Sequence, residues 1–150
     1  MRGVKLFEEF VKKGVAKKIH PDFKRAASFR AKAEKKNKLM RERLEKLGLT
    51  DESAEDYIET SYDIIMFLIR AKMYSDGYAS SGVGAHEAEV SYLRNLHFTE
   101  NEVQLADELR YFRNGILYYE TILDKEYAKK VLAFLEVIYL KLKKILEGDQ

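Results

Sequence analysis

Residues 124–147 read DKEYAKKVLAFLEVIYLKLKKILE, and this stretch decides the fold class. Ala128, Val131, Leu135, Ile138, Leu142 and Ile145 recur every three or four residues, which places them on one stripe of a helix of period 3.6. Lys and Glu dominate the opposite side. Asp124 stands where an N-cap belongs, because its carboxylate can accept a free backbone N–H of the first turn. The segment holds neither Gly nor Pro and carries no alternation of period two, so it does not read as a strand.

The same period runs through most of the chain. Thr99-Glu100-Asn101-Glu102 is a capping box. It predicts a helix to about Tyr119, with Leu105, Leu109, Phe112 and Ile116 inward. A short helix is predicted from Ala85 to Leu96. Thr50-Asp51-Glu52 opens one that reaches about Ser75 and turns Ile58, Tyr62, Ile65, Leu68 and Ile69 to the core. From Asp22 to Leu47 a narrow stripe of Phe23, Ala26, Ala33, Met40, Leu44 and Leu47 predicts another, closed by Gly48. Val4 to Ile19 predicts a first helix with Phe7, Phe10 and Val11 inward, weakened by Gly14 and separated from the next by His20-Pro21-Asp22. The expectation is an all-α chain, a single domain over residues 1–150. It forms an up-and-down bundle of five to six helices, with 1–20 as an extra N-terminal helix and 22–146 as the core.

The bulk numbers agree. The 150 residues suit one domain, and 46% of them are hydrophobic, enough for a core. There is no cysteine, which excludes disulfides, thiolate catalysis and zinc–cysteine sites. No apolar run approaches the roughly 18 residues of a membrane span, and no secretory apolar region follows Met1-Arg2-Gly3-Val4-Lys5. A cytoplasmic chain without membrane contact is expected. The net charge of +2 hides an asymmetry: residues 12–46 carry 14 Lys/Arg against four Asp/Glu, and residues 47–150 carry 11 against 19. Such a basic segment either attracts nucleic acid or an acidic partner, or is a solvated helix face offsetting an acidic helix beside it.

Four carboxylates, Glu52, Asp56, Glu59 and Asp63, share one face of the third helix. Helical di-metal sites need Glu-x-x-His pairs from facing helices, and none occurs, so no metal is expected and the face reads as solvated. No cofactor is expected either: dinucleotide and phosphate-loop fingerprints are absent, the glycine-rich loop 76–84 lacking the Gly-Lys-Ser/Thr ending. The three histidines, His20, His86 and His97, form no His-Glu-x-x-His motif. His20 and His97 lie at helix boundaries, and His86 follows the glycine-rich loop. Bonding to free backbone ends is their ordinary role there.

The fifth helix carries what chemistry the sequence offers. At 100° per residue Arg113 lies about 40° from Leu109, inside the apolar stripe. A guanidinium there needs a carboxylate, such as Asp63 or Glu87, or else a ligand. Arg110, Asn114 and Tyr118 follow at i, i+4 and i+8 as a polar strip. Gly115 reads as a mid-helix site of close backbone approach. On these residues alone a structural ion pair and a ligand-binding group both stand.

The stretch 108–119, ELRYFRNGILYY, resembles the signature helix of the HEPN superfamily of small helical-bundle proteins. Residues 82–90, GVGAHEAEV, resemble the loop and helix that precede it. The likeness covers roughly residues 22–146, and only the Arg113 region is specific. It implies a homodimer whose signature helices face each other across a two-fold axis. Active members are metal-independent endoribonucleases with an Arg, often followed by Asn, and then a His about a turn or more further on. Arg113 and Asn114 match, but the histidine position holds Tyr118. A phenol, with a pKa near 10, is poorly suited to moving the 2′-hydroxyl proton at neutral pH. Other members pair with a minimal nucleotidyltransferase as toxin and antitoxin. A tyrosine two residues beyond the histidine can receive the nucleotide. Here Glu120 holds that place and Tyr119 is the nearest hydroxyl.

The resemblance thus implies a nucleotide- or RNA-binding protein with ribonuclease activity lost or reduced. Arg113, Asn114 and Tyr118 would be its degenerate catalytic set. Arg110, Arg113, Asn114, Tyr118, Tyr119 and His86 would bind ligand. Two other readings stand beside it: an active endoribonuclease toxin that uses Tyr118 or His86, and a non-catalytic dimeric scaffold.

Overall fold

The computed structural model describes residues 3–115 and 123–148. An amphipathic helix must bury its stripe against another element, and a helix with apolar residues on several faces takes the centre. That helix is α3, Asp51–Asp76, along which Ile58, Ile64, Ile65, Leu68, Ile69 and Met73 are all buried. Against it lie α2, Phe23–Leu47, and α6, Lys125–Glu147. The shorter α4, Ala85–Asn95, and α5, Glu100–Arg113, pack on α3 and on each other. A short α1, Phe7–Lys12, leans on α4. The architecture is an all-α helical bundle, and among the described residues no helix is long and apolar enough to cross a membrane.

The predicted caps are made. Asp124 accepts from the Tyr127 N–H at 2.9 Å, and Asp22 from the Arg25 N–H at 2.9 Å. Thr99 and Glu102 close a reciprocal box at 3.2 and 2.9 Å. Ala128, Val131, Leu135, Ile138 and Leu142 are fully buried along α6. The basic α2 lies along the acidic line of α3, with Arg43 paired to Asp56 and Lys36 reaching Asp63 at 4.0 Å. On α2 the core takes Ala26, Ala33 and Met40, while Phe23 and Leu47, at the two ends, are left exposed.

Two expectations are corrected. The first helix does not run from Val4 to Ile19 but stops at Lys12, and Val11 is exposed rather than inward. Gly14, at φ +77°, turns the chain, and Ala16–Lys18 becomes strand β1. It pairs antiparallel with β2, Tyr78–Ser80, so that Ala16 faces Ser80. The edge offered by a distant loop outcompetes a helix already weakened by glycine. Likewise α5 ends at Arg113 instead of continuing through Gly115. The Asn114 N–H bonds to the Arg110 carbonyl at 3.1 Å and the Gly115 N–H to that of Phe112 at 3.0 Å. Gly115, at φ +77°, is a C-terminal glycine of the left-handed type rather than a mid-helix residue. The expected inward Ile116 lies outside the described residues.

Gly77 ties the small sheet to α3. It ends the helix at φ +91°, and its carbonyl accepts from the Ile19 N–H at 2.8 Å. A Cβ placed there would sit 2.8 Å from the Ile19 carbonyl oxygen. Gly77→Ala therefore meets both backbone strain and a backbone clash, and should cost about 2 kcal/mol. Urea unfolding checks this; an unchanged midpoint would show that the strand pair yields freely.

Candidate functional site

The line Glu52, Asp56, Glu59, Asp63 does not stop at its last carboxylate. The same helical spacing continues through Phe67, Arg70 and Tyr74. This continuation borders two adjoining cavities. In the larger, about 350 Å³, Asp63, Phe67 and Arg70 of α3 meet His86 near the start of α4 and Arg113 and Asn114 at the end of α5. Three of the six predicted ligand-binding residues thus share one cleft.

Arg113 does not sit in the apolar stripe. Its side chain is 46% exposed, with Nε 3.5 Å from Asp63 Oδ1. The cause is the helix end: Phe112 takes the buried position, and the last helical residue turns out beyond the core. An exposed pair of this length binds weakly. Arg110 parts from the set. It donates to the buried Asp107 at 2.7 Å, comes within 4.0 Å of Glu87, and borders a separate cavity of about 40 Å³. The strip Arg110–Asn114–Tyr118 is therefore not one site. Tyr118 and Tyr119 lie outside the described residues.

The cleft is also lined by a residue the sequence reading passed over. Arg70 donates through Nε and Nη2 to both oxygens of Glu89, at 2.6 and 3.1 Å. Glu89 is buried. Burial pushes its carboxyl up, against the downward pull of the guanidinium. A fork engaged through one edge leaves Nη1 for another acceptor. Tyr62 also lines the cleft, and its buried hydroxyl has no protein partner. Burial first, and the Glu89 charge second, push the phenol upward, so it is a neutral donor and not a base at neutral pH.

These groups can do two things chemically. Arg113, the free edge of Arg70 and the Asn114 amide offer donors to an anion. An imidazole is the side-chain type suited to proton transfer near neutral pH, and His86 brings one to the same cleft. Among the described residues no three His, Asp or Glu side chains gather as a metal would require.

No family model matches this chain, and neither does any curated protein or solved structure. The signal for Arg70 was present in the extended α3 line, and that for Glu89 in its one-turn offset from Ala85 and His86. Neither identifies its partner without the packing of α3 on α4.

Proposed function

We propose that the chain is a HEPN-like nucleotide- or RNA-binding protein of the cytoplasm, in which the cleft takes a phosphate and ribonuclease activity is lost or reduced. One observation carries the reading: Arg113, Asn114 and His86, from two separate helices, border the same cleft. Asp63 neutralises Arg113 only through a long, exposed contact, so an incoming phosphate can displace it. Arg binds phosphate through its planar fork, which suits this role better than the many lysines of α2. The absent motif histidine at Tyr118 is the reason to expect little cleavage.

The test is incubation of the purified protein with mixed RNA in the presence of a chelator, beside a gel shift at several salt concentrations. We expect a salt-sensitive shift and little or no cleavage. Efficient cleavage lost in both Arg113→Ala and His86→Ala would replace this reading by that of an active endoribonuclease, which the shared cleft of His86 and Arg113 favours as second choice. Absence of any salt-sensitive binding would leave a scaffold.

The reading includes a two-fold dimer and a minimal nucleotidyltransferase as partner protein. Across such an axis the Arg113 ends would be doubled. Light scattering at tens of micromolar should give about twice the 17.5 kDa chain mass, and a monomer mass would remove the dimer from the proposal.

A further inference from the structure

A second surface lies at the other end of α5 from the cleft. There the turn between α4 and α5 meets the C-terminal half of α6 around an open groove of about 410 Å³. From Phe98 to Arg113 the chain climbs about 20 Å along α5, and the groove and the cleft share no wall. Leu96, Phe98 and Ile145 form an apolar floor, and the exposed His97, Lys141 and Lys144 stand on the rim. Among the described residues His97 is the one non-glycine with a left-handed backbone, at φ +68°. Its N–H closes the end of α4 on the Arg94 carbonyl at 3.0 Å, a place glycine usually takes. Lys141 lies over the Phe98 ring at 5.4 Å and meets Glu102 at 3.0 Å. Lys144 meets no carboxylate among the described residues. The apolar surface also runs on past the rim. Val137 and Leu140 precede Lys144 by seven and four residues, so all three share one face of α6, and the two apolar side chains are 49% and 65% exposed. Single exposed apolar residues are ordinary, but two in line with an apolar groove make a continuous strip of about 10 Å along the helix.

We propose that this groove and the strip beside it dock an acidic amphipathic helix of a partner protein. An apolar strip that follows one helix and drops into a groove suits a second helix laid alongside, with apolar anchors at i, i+3 or i+4, and i+7. One anchor enters the groove between Phe98 and Ile145, and the others cover Val137 and Leu140. The charge of the rim selects what flanks those anchors. Glu102 already engages Lys141, so the unpaired cation of Lys144 calls for a carboxylate from outside. A single acyl chain would fill the groove and leave Val137 and Leu140 bare. A second copy across a two-fold axis would double the lysines in one interface and add no carboxylate from the rim. The inference uses no residue of the cleft and does not depend on what the cleft binds.

The test is selection on the full chain from a displayed library of single-helix peptides with randomised surface positions. The enriched peptides are then titrated by fluorescence anisotropy against the unaltered chain, Leu140→Ser and Lys144→Glu. Both positions are exposed, so neither substitution should lower the melting temperature. The enriched peptides should share apolar anchors at helical spacing flanked by Asp or Glu. Leu140→Ser should weaken them by about ten-fold, as loss of a central apolar anchor does. Lys144→Glu should weaken them by about ten-fold and flatten the salt dependence, and selection repeated on that variant should enrich Lys and Arg in place of Asp and Glu. Peptides lost in Leu140→Ser but indifferent to Lys144→Glu would overturn the acidic character of the partner. Binding that neither variant changes, or no enrichment above background, would overturn the docking surface itself. Two other occupants have their own signatures, and either would replace the partner helix. One is a doubled mass in light scattering that returns to the chain mass in Leu140→Ser, which means a second copy. The other is sedimentation with phosphatidylserine vesicles that Lys144→Glu abolishes, without peptide enrichment, which means a lipid surface. RNA binding measured in Leu140→Ser should be unchanged, which keeps failure here distinct from failure of the cleft.

Discussion

Glu89→Ala is expected to destabilise the protein by about 3 kcal/mol, a fall in melting temperature of about 6–12 °C. The reason is what the substitution leaves behind. Arg70 is bound to both oxygens of a carboxylate that is itself buried, and its own side chain is only 23% exposed. Removing the carboxylate strands a cation whose solvation is restricted, and it opens a cavity under α4. The partial exposure of Arg70 lets water reach it, which puts the expected cost at the low end for a broken buried pair. The double variant Arg70→Met with Glu89→Leu removes both charges and refills the volume. It should recover most of the lost stability, yet bind anions poorly, because Arg70 faces both cavities. Urea unfolding and phosphate titration on the same samples check the pair of effects. A double variant as unstable as the single one would mean that lost packing, not the stranded charge, is the cause.

Arg113→Ala should do the reverse, changing binding and not stability. The residue ends its helix half-exposed and meets Asp63 only at 3.5 Å, so its loss should cost at most about 1 kcal/mol. Affinity for RNA or a nucleotide should fall by about ten-fold to a hundred-fold, the range for a charge-assisted contact to phosphate. With RNA the slope of log K against log salt should also flatten by about 0.7, the share of one phosphate contact on a single strand. Arg113→Lys keeps the charge and loses the fork, and should fall between the two. A thermal melt and a titration at three salt concentrations decide the matter. A marked drop in melting temperature with unchanged binding would make Arg113 a structural partner of Asp63 and nothing more.

Much of the site could be read in part from the sequence and completed only by the fold. Arg113, Asn114 and His86 were legible as candidates, and Asp63 as a carboxylate able to meet Arg113. Their shared cleft was not legible, because α3, α4 and α5 meet only after folding. On a helical projection Arg110 lined up with Asn114 in one polar strip. Yet the buried Asp107 one turn before it holds it on another face. A projection gives angles around an axis and says nothing of which neighbours occupy them. The same limit hid Arg70, whose place at the junction of two cavities depends on Glu89 from a different helix.

The helices themselves were determined locally. The stripe of residues 124–147, the caps at Asp22, Thr99 and Asp124, and the stop at Gly48 act over a few residues, so the chain specifies them before it packs. Tertiary structure decided the rest. It drew Ala16–Lys18 away from a helix and onto Tyr78–Ser80, because an open strand edge at long range offered backbone bonds that the Gly14-weakened helix could not match. It turned Arg113 outward by ending α5 where Gly115 could close it. And it brought Phe29, Tyr74 and Ser80 beside Arg70 and His86. Only Arg70 and Tyr74 are helical neighbours, and the others join them only once α2, α3 and α4 bury their apolar faces together.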